Sequence, residues 1–275
     1  MLKIDLHTHS TFSDGTLTTD KLVSLAKKRS ISVLSLTDHD SICGITSFLN
    51  SCNKHKIKGI AGVELSAKYP NVLHILGYRF DYNKLSGNSL FKEIRDGREE
   101  RNNAVCNKLK SIGVDISFDE ISNGTKGDTI ARPHIARILV KKGYASNIKE
   151  AFAKYLQKGA IGYVSRFRVD PEKCISLIRE NGGLPVLAHP WQTSLDIFEI
   201  RKLVIELKDF GIWGIECYSN SNKAAHVYEI LKIAKEFGLH VTAGSDFHGD
   251  NVHDSSMGIM VPDDILPWAR ICGGL

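Results

Sequence analysis

Nine side chains able to bind a metal ion, His7, His9, Asp14, His39, Glu64, His74, His189, Asp246 and His248, lie in or beside short apolar runs spread along the sequence. His7 and His9 are two residues apart, so on an extended chain both imidazoles project to one side and can hold one cation together. A lone histidine is more often an ordinary core or loop residue, and His55, His226, His240 and His253 are read that way. Nine such groups at predicted strand ends are a different matter. One ion takes roughly three or four protein ligands plus water, so nine imply two or three ions, with a carboxylate such as Glu64 bridging a pair. Imidazole and carboxylate without thiolate suit Mn²⁺, Zn²⁺ or Fe²⁺ better than Mg²⁺ or Ca²⁺ alone. Mn²⁺ is the expected ion, with Zn²⁺ and Fe²⁺ as alternatives.

The elements that must position these groups alternate. Apolar runs at 1–6, 31–37, 57–66, 72–78, 184–188, 213–217 and 240–245 read as seven strands. Amphipathic stretches after Thr18-Thr19-Asp20 and at 42–55, 171–181, 197–210 and 222–237 read as the helices between them. Strand and helix repeated and closed into a barrel bring the strand ends to one face, where barrel enzymes place their chemistry. Lys68-Tyr69-Pro70-Asn71 is too short for a helix and suits a tight turn, so the barrel is expected to be irregular there. Between 83 and 165 the rhythm changes to helices only, at 90–112, 118–122, 133–142 and 148–157. The expected architecture is therefore an α/β, TIM-like barrel formed by 1–82 and 166–275, with 83–165 as an inserted helical cap subdomain. Residues 262–275 are expected to form a short closing helix.

The 275 residues suit one barrel of roughly 250 residues with an elaboration. No run approaches the roughly 18 apolar residues of a membrane span and no leader pattern opens the sequence, so a soluble cytoplasmic protein is expected. The six cysteines form no C-x-x-C pair, which argues against a zinc knuckle or a disulfide framework and for reduced, buried thiols. The net charge of +5 is concentrated at 54–58, 95–110, 132–142 and 154–168, which favours an anionic substrate. The basic residues form no single dense stripe, so duplex DNA is not an expected partner, whereas short single-stranded RNA is. Glycines 62 and 244 belong to no G-x-G-x-x-G or Walker sequence and are expected to permit close packing at the barrel mouth.

The runs Asp5-Leu6-His7-Thr8-His9-Ser10 with Ser13-Asp14-Gly15, Thr37-Asp38-His39-Asp40, Gly62-Val63-Glu64, Ala188-His189-Pro190 and Gly244-Ser245-Asp246-Phe247-His248-Gly249 resemble the successive motifs of the PHP (polymerase and histidinol phosphatase) superfamily. The helical insert and Thr129-Ile130-Ala131-Arg132-Pro133-His134-Ile135-Ala136 resemble its bacterial phosphoesterase branch. That branch removes the 3′-phosphate of nucleoside 3′,5′-bisphosphates such as pAp and, in some members, trims short RNA as a 5′→3′ exoribonuclease. The resemblance implies a distorted (β/α)7 barrel. It also implies a first metal on His7, His9, Glu64 and Asp246, a second on Glu64, His74 and His189, and a third on Asp14, His39 and His248. His74 falls inside its predicted strand, which makes His134 an alternative ligand.

Such a site is expected to act by lowering the pKa of a bridging water from about 15.7 towards neutrality, giving a nucleophile in line with phosphorus. Arg132 is expected to grip phosphate in a bidentate fork, helped by backbone N–H groups at the start of the following helix. His134 is expected to protonate the leaving oxygen, with Asp246 or a metal-bound water as the alternative acid. Arg166, Arg168 and Lys158 are candidates for a second phosphate and Tyr163 for a hydrogen bond or a stacked base. Glu216, Asp5 and Asp38 are candidates for orienting ligand imidazoles. Two other functions fit parts of the pattern: a histidinol-phosphate phosphatase, and a non-catalytic metal- or nucleic-acid-binding module like the PHP domains fused to polymerases.

Overall fold

The computed structural model describes residues 1–123, 129–165, 167–220, 222–249 and 256–272. Arg166 and His253 lie outside the described residues. Eight strands form one sheet: β1 (Leu2–Asp5), β2 (Val33–Leu36), β3 (Lys58–Ser66), β4 (His74–Tyr78), β5 (Leu184–Leu187), β6 (Gly214–Tyr218), β7 (His240–Ala243) and β8 (Ile259–Val261). Their order is β7-β6-β5-β4-β3-β2-β1-β8. The two sides meet where the chain beyond β1 bonds the chain around β7: Leu6 N–H donates to Ala243 O at 3.1 Å, Phe247 N–H to His7 O at 3.3 Å, and His9 N–H to Phe247 O at 2.9 Å. These bonds turn the sheet into a nearly closed barrel and bring residues 7–9 beside 246–248.

All seven expected strands are present. The eighth, β8, pairs antiparallel with the start of β1, Leu2 opposite Val261. Three residues are too short to show a periodicity. The predicted irregularity lies at β4, which runs antiparallel to both β3 and β5. The chain turns back over 67–73, and Ser66 at the end of β3 faces His74 at the start of β4. An antiparallel strand begins where its neighbours end, so the first residue of β4 sits on the barrel face that carries the other strand ends.

The helices around the barrel are α1 (Thr19–Lys28), α2 (Ile45–His55), α8 (Pro171–Glu180), α10 (Ile197–Asp209) and α11 (Ala224–Phe237). Thr18 caps α1 by accepting the Lys21 N–H, Asp20 occupies the first turn and Lys27 and Lys28 the last, as the helix dipole favours. Thr19, Leu22, Val23 and Ala26, in i, i+3, i+4, i+7 phase, form its buried face. Helix α2 starts three residues later than expected because 39–44 stay in the loop that holds His39. The barrel interior is filled by Ile4, Leu6, Val33, Leu76, Tyr78 and Val186, and the closing helix α12 (Trp268–Cys272) adds Ile271 and Cys272 to the same cluster.

Between β4 and β5 every described element is helical. Short α3 (Tyr82–Ser86) leads into α4 (Ser89–Lys110), then α5 (Phe118–Asn123), α6 (Arg132–Lys141) and α7 (Ile148–Ala151). The expected helix at 148–157 changes after α7 into a π-helical turn, Phe152–Leu156. The two halves of α4 pack differently: Phe91 and Ile94 join the barrel's outer core, whereas Val105, Cys106 and Leu109 join a separate cluster with Ile135, Leu139 and Leu156. Ile112, expected on the apolar stripe, follows the helix end and is exposed. Another short helix, α9 (Pro190–Thr193), follows His189. Among the described residues no helix is long and apolar enough to cross a membrane. None of the six cysteines is in a disulfide; five are buried, but Cys43 is exposed, contrary to the expectation that all are buried.

Candidate metal centre

Nine predicted ligands converge at one mouth of the barrel. His7 and His9 follow β1, Asp14 lies in the next loop, His39 follows β2, and Glu64 lies in β3. His189 follows β5, and Asp246 and His248 follow β7. His74, which the sequence places inside a strand, opens β4 on this same face because β4 is antiparallel.

Glu64 is completely buried and is approached by five imidazoles. Its Oε2 lies 3.3 Å from His7 Nε2, 3.2 Å from His9 Nε2 and 2.8 Å from His39 Nδ1, and its Oε1 lies 2.7 Å from His74 Nδ1 and 2.9 Å from His189 Nε2. Asp246 Oδ1 is 3.3 Å from His7 Nε2 and 3.2 Å from His9 Nε2. Two ligands each about 2.1 Å from one ion, at tetrahedral or octahedral angles, are roughly 3.0–3.4 Å apart. The contacts of His7 and His9 with Glu64 and Asp246 all match that spacing. The second group is similar, with His74 Nδ1 and His189 Nε2 3.2 Å apart beside Glu64 Oε1. The third is looser: Asp14 lies 3.3 Å from His248, 3.9 Å from His39 and 4.0 Å from His9.

Buried polar groups normally find hydrogen-bond partners. His7 Nε2, His9 Nε2, His39 Nδ1 and Glu64 Oε2 are buried without a well-formed hydrogen bond, although they face one another. Atoms that converge without bonding each other fit a shared cation. Electrostatics agree: burial alone would raise the Glu64 pKa, but His39, His74 and His7 hold it well below the usual carboxylate range. Burial opposes protonation of His7, yet Glu64, Glu216 and Asp246 keep its pKa well above the usual value. His74 goes the other way, pushed by burial down to about 4, so its neutral ring keeps a lone pair for a cation.

The orienting groups differ in part from expectation. Glu216 does face a ligand: its Oε1 is 3.1 Å from His7 Nδ1, and its Oε2 accepts the His189 backbone N–H at 2.9 Å. A side chain at Gly244 would fall 2.6 Å from Glu216 Oε1 and against His7 Cβ, so glycine permits this approach. Among the described residues Asp5 and Asp38 touch no imidazole directly. Asp5 accepts from Ser245 N–H and Oγ–H and from Gly258 N–H, tying the start of the chain to its end. Asp38 accepts from Ser10 and Ser13, and Ser13 Oγ lies 3.5 Å from His9 Nδ1, an indirect link to that ring. Three mouth residues occupy the left-handed backbone region: Asp40 (φ 49°), His189 (φ 25°) and Asp246 (φ 56°). Such strain in residues with a Cβ persists where surrounding bonds over-determine it, and it clusters at functional sites.

Beside the centre is a cavity of about 200 Å³ lined by Asp14, His39 and His74 on one side and by Arg98, Arg101, Arg132, Tyr163 and Arg168 on the other. Arg132 is braced by Leu156 O, 3.4 Å from Nη1, and by the Phe152 ring beneath its guanidinium. The amide cradle expected at the start of α6 is largely spent internally. Ala131 N–H donates to His134 Nδ1 at 3.0 Å, His134 N–H donates to Ala131 O, and Pro133 has no N–H. Burial pushes His134 down to about 4, so near neutral pH it is an uncharged ring closing a helix start. It stands apart from the three ligand groups. Lys158 is exposed and does not line the cavity.

Sequence reading missed Arg98 and Arg101. Both are buried in α4, and the signal was available: 94, 98, 101, 105 and 109 keep the 4-3-4-4 spacing of a buried stripe, with two arginines in its middle. Arg98 Nε donates to Asp40 Oδ2 at 2.6 Å, and Asp40 Oδ1 accepts the Ser66 N–H, which clamps α4 onto the loop carrying His39.

Residues 5–209 match the PHP domain family. A 3′,5′-nucleoside bisphosphate phosphatase of Chromobacterium violaceum is 33% identical over 272 residues, covering 98% of this chain and 95% of that protein. A 5′-3′ exoribonuclease of Haemophilus influenzae is 34% identical over 247 residues, 90% of each. Among solved structures, an amidohydrolase from Chromobacterium violaceum with bound sulfate and no metal aligns with a TM-score of 0.86 at 31% identity, covering 98% of this chain and 95% of that one.

Proposed function

The chain belongs to the PHP domain family, and from that premise we propose that it removes the 3′-phosphate of nucleoside 3′,5′-bisphosphates, giving the 5′-nucleotide and phosphate. It is a metal-dependent phosphoesterase, and the fold is the mixed α/β barrel of that family. Exoribonuclease action on the 5′ end of short RNA is the related reaction of the same cleft, in keeping with the name of the Haemophilus influenzae relative. One observation carries the substrate reading: a single cavity joins ligand-type groups, Asp14, His39 and His74, to the guanidiniums of Arg101, Arg132 and Arg168.

In this reading His7, His9, Glu64 and Asp246 would hold the first ion, Glu64, His74 and His189 the second, and Asp14, His39 and His248 the third, with Mn²⁺ the ion of choice. Bound divalent ions supply Lewis acidity, lowering the pKa of a coordinated water and offsetting charge on the phosphoryl oxygens. Glu64 links the first two groups because its two oxygens face different sets of imidazoles. Glu216 fixes the His7 tautomer by accepting Nδ1–H, which leaves Nε2 as the ligand atom. Arg132 takes a phosphate oxygen pair and stabilises charge that grows in the transition state. Tyr163 offers a hydroxyl or a ring face to the nucleoside. Asp246 orients the attacking water. An imidazole with a pKa near 4 is protonated in only about one molecule in a thousand at pH 7, so His134 serves better as the residue that positions Arg132 than as the acid. Residues 83–165 act as an inserted subdomain that supplies Arg98, Arg101 and Arg132 of the cationic wall, while 1–82 and 166–275 supply the barrel and Arg168.

Histidinol phosphate carries an ammonium group, which a wall of arginines would repel. Kinetics of the Mn²⁺-loaded protein against a nucleoside 3′,5′-bisphosphate, oligoribonucleotides of increasing length and histidinol phosphate decide the matter. The highest kcat/KM is expected for the bisphosphate. A higher value for histidinol phosphate overturns the assignment, and unchanged hydrolysis by His9→Ala or Asp246→Ala would point to a binding module instead.

A further inference from the structure

Resting on the function just given, we propose that the rim carrying Trp191, His226 and Phe198 is a stacking platform for the base of the second nucleotide of an RNA substrate. It lies across the metal centre from the arginines, so the RNA would leave the cleft over β5, β6 and β7.

The arginine cavity uses only part of the mouth. Asp14, His39, Ser66 and His74 line it from the β1–β4 arc, and among the described residues none after Arg168 does so. The β5–β7 arc carries His189 and Asp246, and Asp246 keeps 24% of its side chain exposed although Glu64 beside it has none. The mouth is thus open on this side as well. Helices that follow barrel strands begin at the mouth. Helix α9 follows β5, α10 begins three residues after α9, and α11 follows β6, with α10 packed against both other helices.

These helix starts present aromatic faces. Trp191 donates Nε1–H to His226 O at 3.2 Å, and its indole stacks on the His226 ring with centroids 4.5 Å apart and planes 28° from parallel. The next residue, Gln192, donates to Asp246 Oδ2 at 3.3 Å, so the stack adjoins the first ligand group. Leu195 and Phe198 are 86% and 75% exposed, the two most exposed large apolar side chains among the described residues. Capping holds them out: Asp196 accepts the Phe198 N–H at 2.8 Å, and Ser194 Oγ accepts the Asp196 N–H at 3.1 Å. Apolar groups kept in water beside a cleft mark a binding surface.

Substrate polarity identifies the occupant. In a 5′-phosphorylated RNA, hydroxide from water joins the phosphorus between the first two nucleosides, the bond from phosphorus to the first O3′ breaks, and that oxygen takes a proton. The first nucleotide lies towards the arginines that hold its 5′-phosphate. The second nucleoside, bonded to the same phosphorus, must extend the other way, onto the β5–β7 rim. Stacking accepts any base. Lys223, exposed at the start of α11 one turn before His226, is the cation for the following phosphate, whereas Asp196 and Glu199 leave α10 to hold the base alone. A nucleoside bisphosphate has no second base, so the platform serves RNA only.

The test changes protein and substrate together. Phe198→Ser, Trp191→Leu and the unaltered chain, all Mn²⁺-loaded, are assayed on a nucleoside 3′,5′-bisphosphate, a 5′-phosphorylated diribonucleotide, and the same dinucleotide without its second base. The ratio of kcat/KM for the dinucleotide to that for the bisphosphate is expected to fall about 10-fold in each variant, as loss of one base–aromatic stack implies. Removing the second base should cost the unaltered chain a similar factor and the variants little more, a coupling that a merely structural role would not produce. Phe198 is exposed, so Phe198→Ser keeps the test readable should Trp191→Leu fail to fold. Binding without turnover gives a second reading: in EDTA, anisotropy of a 3′-labelled, 5′-phosphorylated oligoribonucleotide should show about 10-fold weaker binding by Phe198→Ser. An unchanged ratio, equal losses on base removal in all three proteins, or equal Kd values overturn the platform. If the unaltered chain hydrolyses none of the substrates but Phe198→Ser binds the oligoribonucleotide more weakly, the assigned reaction fails and the platform stands. If the dinucleotide is hydrolysed with the same ratio by all, the platform alone fails.

Discussion

The floor and the wall of the cleft handle charge in opposite ways. On the floor, Glu64 has five imidazoles within 3.3 Å, and Glu216 and Asp246 add further contacts to His7. On the wall, Arg101, Arg132 and Arg168 face a cavity with no carboxylate paired to them among the described residues. A floor of paired groups can hold its shape through folding and turnover. A wall of cations without carboxylate partners among the described residues is costly to bury, which suits the anionic substrate proposed above. The two regions meet at Asp40, which bonds Arg98 on one side and the Ser66 backbone on the other, directly after His39.

The largest effect tests the floor. Glu64→Gln keeps the shape of the side chain but removes the charge that both groups of imidazoles share. Activity is expected to fall by at least about 10³-fold, with fewer ions per chain in elemental analysis, because electrostatic stabilisation and ion retention fail together. A variant that keeps its full metal content and a kcat within tenfold of the unaltered enzyme would show that Glu64 is not the bridging carboxylate.

Floor and wall were unequally legible in the sequence. The floor residues lie at strand ends, where the period of two and the apolar runs fix position within a residue or so, and the H-x-H spacing alone indicates that two rings share a side. His74 resisted this reading because strand direction is a tertiary property: only the pairing of β4 against β3 and β5 shows that its first residue belongs to the mouth. Arg98, Arg101 and Arg132 of the wall lie on α4 and α6, helices that share a separate core cluster, where an arginine in the charged helix α4 looks like a solvated residue. Arg98 and Arg101 differ from Arg95 only in helical phase. Asp5 and Asp38 show another limit, since a carboxylate beside a ligand histidine can as readily bond serines and backbone amides as the ring. Arg166, expected beside a second phosphate, lies outside the described residues.

A middle-sized effect probes the junction. Arg98 and Asp40 are buried, and breaking a buried ion pair by removing one member costs about 3–5 kcal/mol. At roughly 2–4 °C per kcal/mol for a chain of this size, Arg98→Met should melt about 10 °C lower. The double variant with Asp40→Asn should recover much of that loss. Arg101→Met is expected to show no such loss, although the two residues share a helix and nearly the same exposure. Equal losses for Arg98→Met and Arg101→Met would erase the distinction between the paired and the unpaired arginine.

The smallest effect concerns histidines shifted in opposite senses. Carboxylates of the floor raise His7 and His248 against burial, His248 to about 10, whereas burial lowers His134 on the insert to about 4. A histidine with a lowered folded pKa contributes stability above its unfolded value, about 6.5, and that contribution is lost as pH falls towards the folded value. Between pH 7 and pH 5 the loss from His134 should be about 1–2 kcal/mol. His134→Gln does not titrate and can still accept the Ala131 N–H, because glutamine serves at this helix position. Urea unfolding of both proteins at the two pH values isolates the term, since the acid sensitivity of the floor is common to both and cancels. The unaltered protein should lose more stability on acidification than His134→Gln. Equal losses would mean that His134 binds protons in the folded state as readily as in the unfolded chain, which would return the general-acid role to it and place it with the raised histidines of the floor.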